Sequence, residues 1–110
     1  ETLDLRTFRV TATSQGSAIS PDTTFEFRER DGRVEATYSG GQIVAGHFLG
    51  RRSAEGAEVA YVQLHADGQL QTGTSTLRID RLASKGLRIT EDYTWVDGGK
   101  GQNVLETVNR

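Results

Sequence analysis

Cysteine is missing from this chain of 110 residues. Disulfide frameworks, thiolate nucleophiles and cysteine-based zinc sites are therefore excluded, while the compartment stays open. Proline occurs once. No apolar run approaches the roughly 18 residues that a membrane-spanning helix needs. Charge of one sign never accumulates: the formal net charge is −2 and the charged residues are scattered. That pattern offers neither the basic footprint of a nucleic-acid binder nor a polybasic membrane patch. The first residue is Glu1 rather than Met, so a processed N-terminus with a removed signal peptide stays open.

What is abundant is glycine, at 13 residues, accompanied by frequent threonine. Glycine-containing turns at Asp31-Gly32, Gly40-Gly41, Asp67-Gly68 and 97–101 separate runs of strand-like residues. Asp-Gly and Gly-Gly supply the positive φ angles of short hairpins, and turns about every ten residues point to a sandwich or barrel. Strands are expected at 5–13, 23–30, 33–39, 42–50, 57–65, 69–79, 87–96 and 102–108. No stretch has a helical period; residues 81–86 are the one candidate for a short helical turn. The expectation is a single all-β domain over residues 1–110, a soluble, antiparallel up-and-down barrel of about eight strands. Pairing of the first and last strands would close the sheet and remove its edges.

Registering strands against their turns assigns faces. Around Asp31-Gly32, Phe27 meets Ala36, Phe25 meets Tyr38 and Arg28 meets Glu35, giving one apolar and one charged face. A turn centred on Gly40-Gly41 pairs Tyr38 with Ile43 and Val34 with His47, which turns His47 inward; a bulge at the glycines would flip that assignment. In the last hairpin Leu87, Ile89, Glu91, Tyr93 and Trp95 share the apolar and hence interior face. A symmetric glycine-rich turn then sets Glu91 opposite Glu106 and Tyr93 opposite Val104.

These residues carry a family resemblance. Arg6-Thr7-Phe8-Arg9, Ala36-Thr37-Tyr38-Ser39-Gly40-Gly41 with Gly46 and Gly50, Asp67-Gly68 leading to Thr72-Gly73, and Glu91-Asp92-Tyr93-Thr94-Trp95 followed by Gly101 and Glu106 span nearly the whole chain. Together they resemble a family of small bacterial proteins often named N-acetylglutamate synthase, in which Trp usually stands at the position of Tyr93. Acetyl transfer from coenzyme A normally uses a pyrophosphate-binding turn that opens a helix, and no such unit is read here. The resemblance therefore implies a small barrel, similar in outline to avidin-like and lipocalin-like barrels, and not the enzymatic name. It also implies a cytoplasmic bacterial protein, with secretion left open.

Glu91 with Glu106 is the sharpest chemical candidate. Two carboxylates facing each other in an apolar interior do not both ionise, so the pair can serve as acid and base or anchor a polar ligand. Each glutamate pairing with an interior polar partner, or reaching the barrel mouth, is the plain structural reading. Tyr38, Tyr93 and Trp95 line the same interior, as pocket walls or as core. His47 is a polar contact or base if it points inward. On the strand 57–65 either Tyr61, Gln63 and His65 or Ala60, Val62 and Leu64 face the lumen; the resemblance favours Tyr61 and Gln63 as lumen groups. The two histidines show no metal-ligand spacing, so no metal site is expected, and no cofactor. The glycine-rich 97–101 lacks the following helix of a phosphate cradle and is a hairpin turn.

Three functions fit. The first is a small-molecule-binding barrel with Tyr38, His47, Tyr61, Gln63, Tyr93 and Trp95 around Glu91 and Glu106. The second is a cofactor-free isomerase or cyclase in which Glu91 or Glu106 moves a proton. The third is a structural module with a packed lumen, since side chains alone can fill eight strands. The expected partner is a small molecule, with neither nucleic acid nor membrane; a homodimer stays open.

Overall fold

The computed structural model describes residues 1–108. Its eight strands are β1 (Thr7–Thr13), β2 (Thr24–Arg30), β3 (Arg33–Gly40), β4 (Ile43–Arg52), β5 (Gly56–His65), β6 (Leu70–Arg81), β7 (Leu87–Trp95) and β8 (Lys100–Thr107). Each pairs antiparallel with its sequence neighbour, and β1 pairs with β8 to close the barrel. Among the described residues there is no helix; Arg81 ends β6 and 82–86 forms the turn, with Lys85 at positive φ. No helix long and apolar enough to cross a membrane is present among them either.

The β2–β3 hairpin follows its Asp-Gly signal. Asp31 and Gly32 both have positive φ, and Phe27↔Ala36, Phe25↔Tyr38 and Arg28↔Glu35 pair as expected. The β3–β4 hairpin departs from the simple expectation. Gly40 pairs with Ile43, a bulge follows, and Tyr38 then meets Gly46, Thr37 meets His47 and Val34 meets Gly50. The register moves by three residues. Side-chain direction alternates with every residue, so an odd shift exchanges faces. His47 is consequently exposed on the outer wall, and the inward assignment is corrected.

The lumen is apolar toward β1–β4. Phe25 stacks on Tyr38 with ring centroids 4.4 Å apart, and Phe48 packs against both. The end near the β2–β3 turn is sealed by Leu3, which is fully buried. Leu3 N–H donates to Glu29 Oε1 at 2.8 Å, and Arg52 lies between Glu1 and Glu29 over the same end. The opposite end is covered by the connection from β1 to β2, residues 14–23, where Ile19 is buried.

Three tyrosines share one device. Tyr38 pairs across the strand with Gly46, Tyr61 with Gly73 and Tyr93 with Gly101. A Cβ at any of these glycines would overlap the tyrosine opposite: the ring of Tyr38, or the phenol ends of Tyr61 and Tyr93. Each ring thus lies over bare backbone, close to the barrel wall. Gly46→Ala must displace Tyr38 from both its stack on Phe25 and its bond to Gln63. A stability loss of about 1–3 kcal/mol is expected, read as a lower denaturation midpoint at unchanged slope.

Candidate functional site

The β7–β8 register decides which polar groups meet. Trp95 N–H donates to Gly99 O and Gly98 N–H donates back to Trp95 O, with Gly98 at positive φ. The turn is therefore the three-residue loop 96–98 and not a symmetric glycine turn centred on Gly98-Gly99. Its geometry repeats at β5–β6, where His65 N–H donates to Gln69 O and Gly68 N–H to His65 O. In both, the Asp before the glycine accepts from the next backbone amide, Asp67 from Gln69 and Asp97 from Gly99.

This register pairs Glu91 with Asn103, Tyr93 with Gly101, and Arg88 with Glu106. The expected Glu91–Glu106 pair is thus corrected, again by an odd shift of three residues. Glu106 lies on the outer wall, bonded at 3.1 Å to Arg88. Val104 likewise leaves the lumen and meets Thr90. The interior positions of β8 are Asn103 and Leu105, both buried.

Glu91 itself points inward as its strand pattern requires, and is 3% exposed. Asn103 Nδ2 donates to its Oε1 at 3.0 Å and Ser75 Oγ donates to its Oε2 at 2.7 Å. Ser75 and Asn103 are themselves buried. Burial pushes the Glu91 carboxyl above the usual range; the bonds from Asn103 and Ser75 oppose this in part, and nearby Asp92 adds to it. No Lys, Arg or His lines the surrounding pocket.

The other lumen candidates gather around this cluster. Tyr61, Gln63, Tyr93 and Trp95 border one pocket with Glu91 and Asn103, and Tyr93 stacks on Trp95 with centroids 6.0 Å apart. On β5 the inward face is Val59, Tyr61 and Gln63, while Val62 and Leu64 are outside. Tyr38 Oη donates to Gln63 Oε1 at 2.7 Å, and Gln63 Nε2 donates to Gln71 Oε1 at 3.0 Å. Burial raises the Tyr38 and Tyr61 phenols above their ordinary value, with the Glu91 charge adding to both. Sequence reasoning missed Asn103, Ser17 and the role of Ser75. The shared Asp-Gly of the turns at 67–68 and 97–98 was the signal that would have centred the last hairpin correctly.

The pocket is nearly full. Ser17, Ala18 and Ile19 of the 14–23 loop occupy its mouth, and about 10 Å³ stays free, barely the room of one water. An open saddle of about 550 Å³ lies on the outer wall between Arg51, Ala60, Thr74 and Thr94. Ser75 and Asp92 reach its lining but Glu91 does not, so size alone does not mark the site. Among the described residues no group of three or more His, Asp or Glu side chains is placed to hold a metal ion.

Two stability measurements follow. Glu91 is protonated more readily in the folded than in the unfolded chain, so its contribution is full below the unfolded carboxylate pKa near 4.3 and is lost as pH rises through the folded value. Thermal melts should therefore show Glu91→Gln gaining on the wild type as pH rises, with a slope of at most about 1.4 kcal/mol per pH unit. Asn103→Ala takes one of its two donors from Glu91 and the acceptor from the Ser17 hydroxyl and should cost about 1–3 kcal/mol, whereas Glu106→Ala removes a surface pair and should cost at most about 1 kcal/mol. Equal losses would return Glu106 to the interior.

A comparison with protein families matches residues 1–108 to the one described as avidin-like protein. No curated protein and no solved structure matches the chain.

Proposed function

The chain belongs to the avidin-like family, and on that footing we propose that it binds a small molecule in the polar pocket around Glu91. One observation carries the reading: a carboxyl deep in the interior, held by two donors and without a cation beside it. Burying such a group costs stability that an apolar side chain of similar size would not. A ligand donor that completes the cluster gives the cost a purpose. Tyr61, Tyr93 and Trp95 supply flat walls for the ligand body. With about 10 Å³ free, binding requires the 14–23 loop to withdraw from the mouth.

The isomerase or cyclase reading asks Glu91 or Glu106 to move a proton. Glu106 on the outer wall leaves Glu91 alone, an acid able to give a proton but with no carboxylate base opposite. The packed-lumen reading draws on the same small free volume.

Native mass spectrometry of the purified protein, with a thermal-shift screen, tests the proposal. A bound or stabilising small molecule is expected, and Glu91→Gln should weaken it about ten-fold, the worth of one hydrogen bond to a buried polar group. Affinity kept with turnover lost would favour the isomerase. No stabilising molecule in either protein would leave the packed module.

A further inference from the structure

The plug at the barrel mouth is held by an unusual set of contacts. Ser17 Oγ donates to Asn103 Oδ1 at 2.8 Å, and the Ile19 amide donates to Ser17 Oγ at 3.2 Å. Asn103 is the residue that holds Glu91, so the plug is wired to the buried cluster through one amide side chain. Ile19 adds a branched aliphatic side chain, 7% exposed, beside the aromatic walls. A hydroxyl donor on a polar anchor with an aliphatic body beside it is what a small ligand would present.

The loop is also fastened at both its feet. At one foot Ser14 N–H donates to Gln102 O, and Gln102 N–H donates to Ser14 Oγ. At the other, Thr23 Oγ1 donates to Gly40 O while accepting from Ser20 N–H. Between them the Ser17–Asn103 bond is the side-chain tie to the barrel. The wall beneath is also weakest there. β1 meets β2 from Thr7↔Glu26 to Arg9↔Thr24, and the rest of β1, past a bulge between Val10 and Ala12, follows β8.

We infer that Ser17–Ile19 is a built-in stand-in for the ligand, occupying its seat until displaced, and that the ligand carries an N–H or O–H donor for Asn103 Oδ1, a compact apolar body and no negative charge. The proposal rests on the ligand-binding reading above. An anion is disfavoured because the seat adjoins Glu91 and holds no cation to meet it. Displacement makes the observed affinity the true affinity reduced by the fraction of molecules with the loop withdrawn.

Isobutyramide and isobutyrate differ in charge but hardly in shape, and serve as probes. Each is titrated into wild type, Ser17→Ala and Ile19→Ala, followed by the fluorescence of Trp95, the chain's single tryptophan. Ser17→Ala should bind the amide about five-fold tighter, the worth of one ordinary hydrogen bond, and Ile19→Ala should also gain. Isobutyrate should bind none of them. In wild type, saturation with the amide should speed hydrogen exchange at the amides of 15–19, because the plug is expelled. That last measurement needs no variant to fold. Equal affinities, with 15–19 slowed on binding, overturn the stand-in and leave the ligand reading intact. Isobutyrate binding as well as the amide overturns the charge assignment. No binding by any of the three proteins, with exchange unmoved, overturns the stand-in together with the reading beneath it.

Discussion

The lumen is governed by a steric bargain between tyrosine and glycine. Eight strands make a narrow tube, and a phenol standing upright in it would reach the far wall. At three places the cross-strand partner of a tyrosine has no side chain, so the ring folds flat over the neighbouring backbone. The flat rings of Tyr61 and Tyr93 leave the middle of the upper lumen to shorter groups: Ser75, Glu91 and Asn103. Without the glycines the same tyrosines would fill that space, and no polar cluster would fit.

The electrostatics of the cluster follow from where it sits. β1, β2 and β4 contribute phenyl rings, whereas the buried amides, the Ser75 hydroxyl and the carboxyl come from β5–β8, where they lie among further apolar side chains. The half-buried Arg52 is spent at the sealed end on Glu1 and Glu29. Glu91 meets neutral donors and no opposite charge in its pocket, and burial holds its carboxyl above the usual range. One carboxyl held by neutral donors is consistent with the proposed recognition role.

Much of this was legible in the sequence, and the failures share one cause. Alternation within each strand fixed which residues share a face, so Leu87, Ile89, Glu91, Tyr93 and Trp95 fell inside together as the pattern required. The Asp31-Gly32 hairpin was readable because a two-residue turn leaves no choice of register. Where several glycines adjoin, as at 40–41 and 97–101, more than one turn is sterically open, and the chain uses neither of the symmetric ones. Each miss was three residues, and an odd error reverses every side chain on the strand. That moved His47 and Glu106 outside and hid Asn103. Ser17 was beyond reach for another reason: a ten-residue connection between β1 and β2 has no periodicity to read.

The two ends of the tube are unequal, and this fixes how matter moves through it. Leu3 closes one end with a fully buried side chain, backed by ion pairs, so the vessel is blind. Entry and exit share a single aperture, and water leaving must pass whatever arrives. Under the proposed binding, exchange with the interior would be set by displacement of the 14–23 segment. If the proposed binding holds, the observed association rate should reach a plateau at high concentration, set by the protein alone.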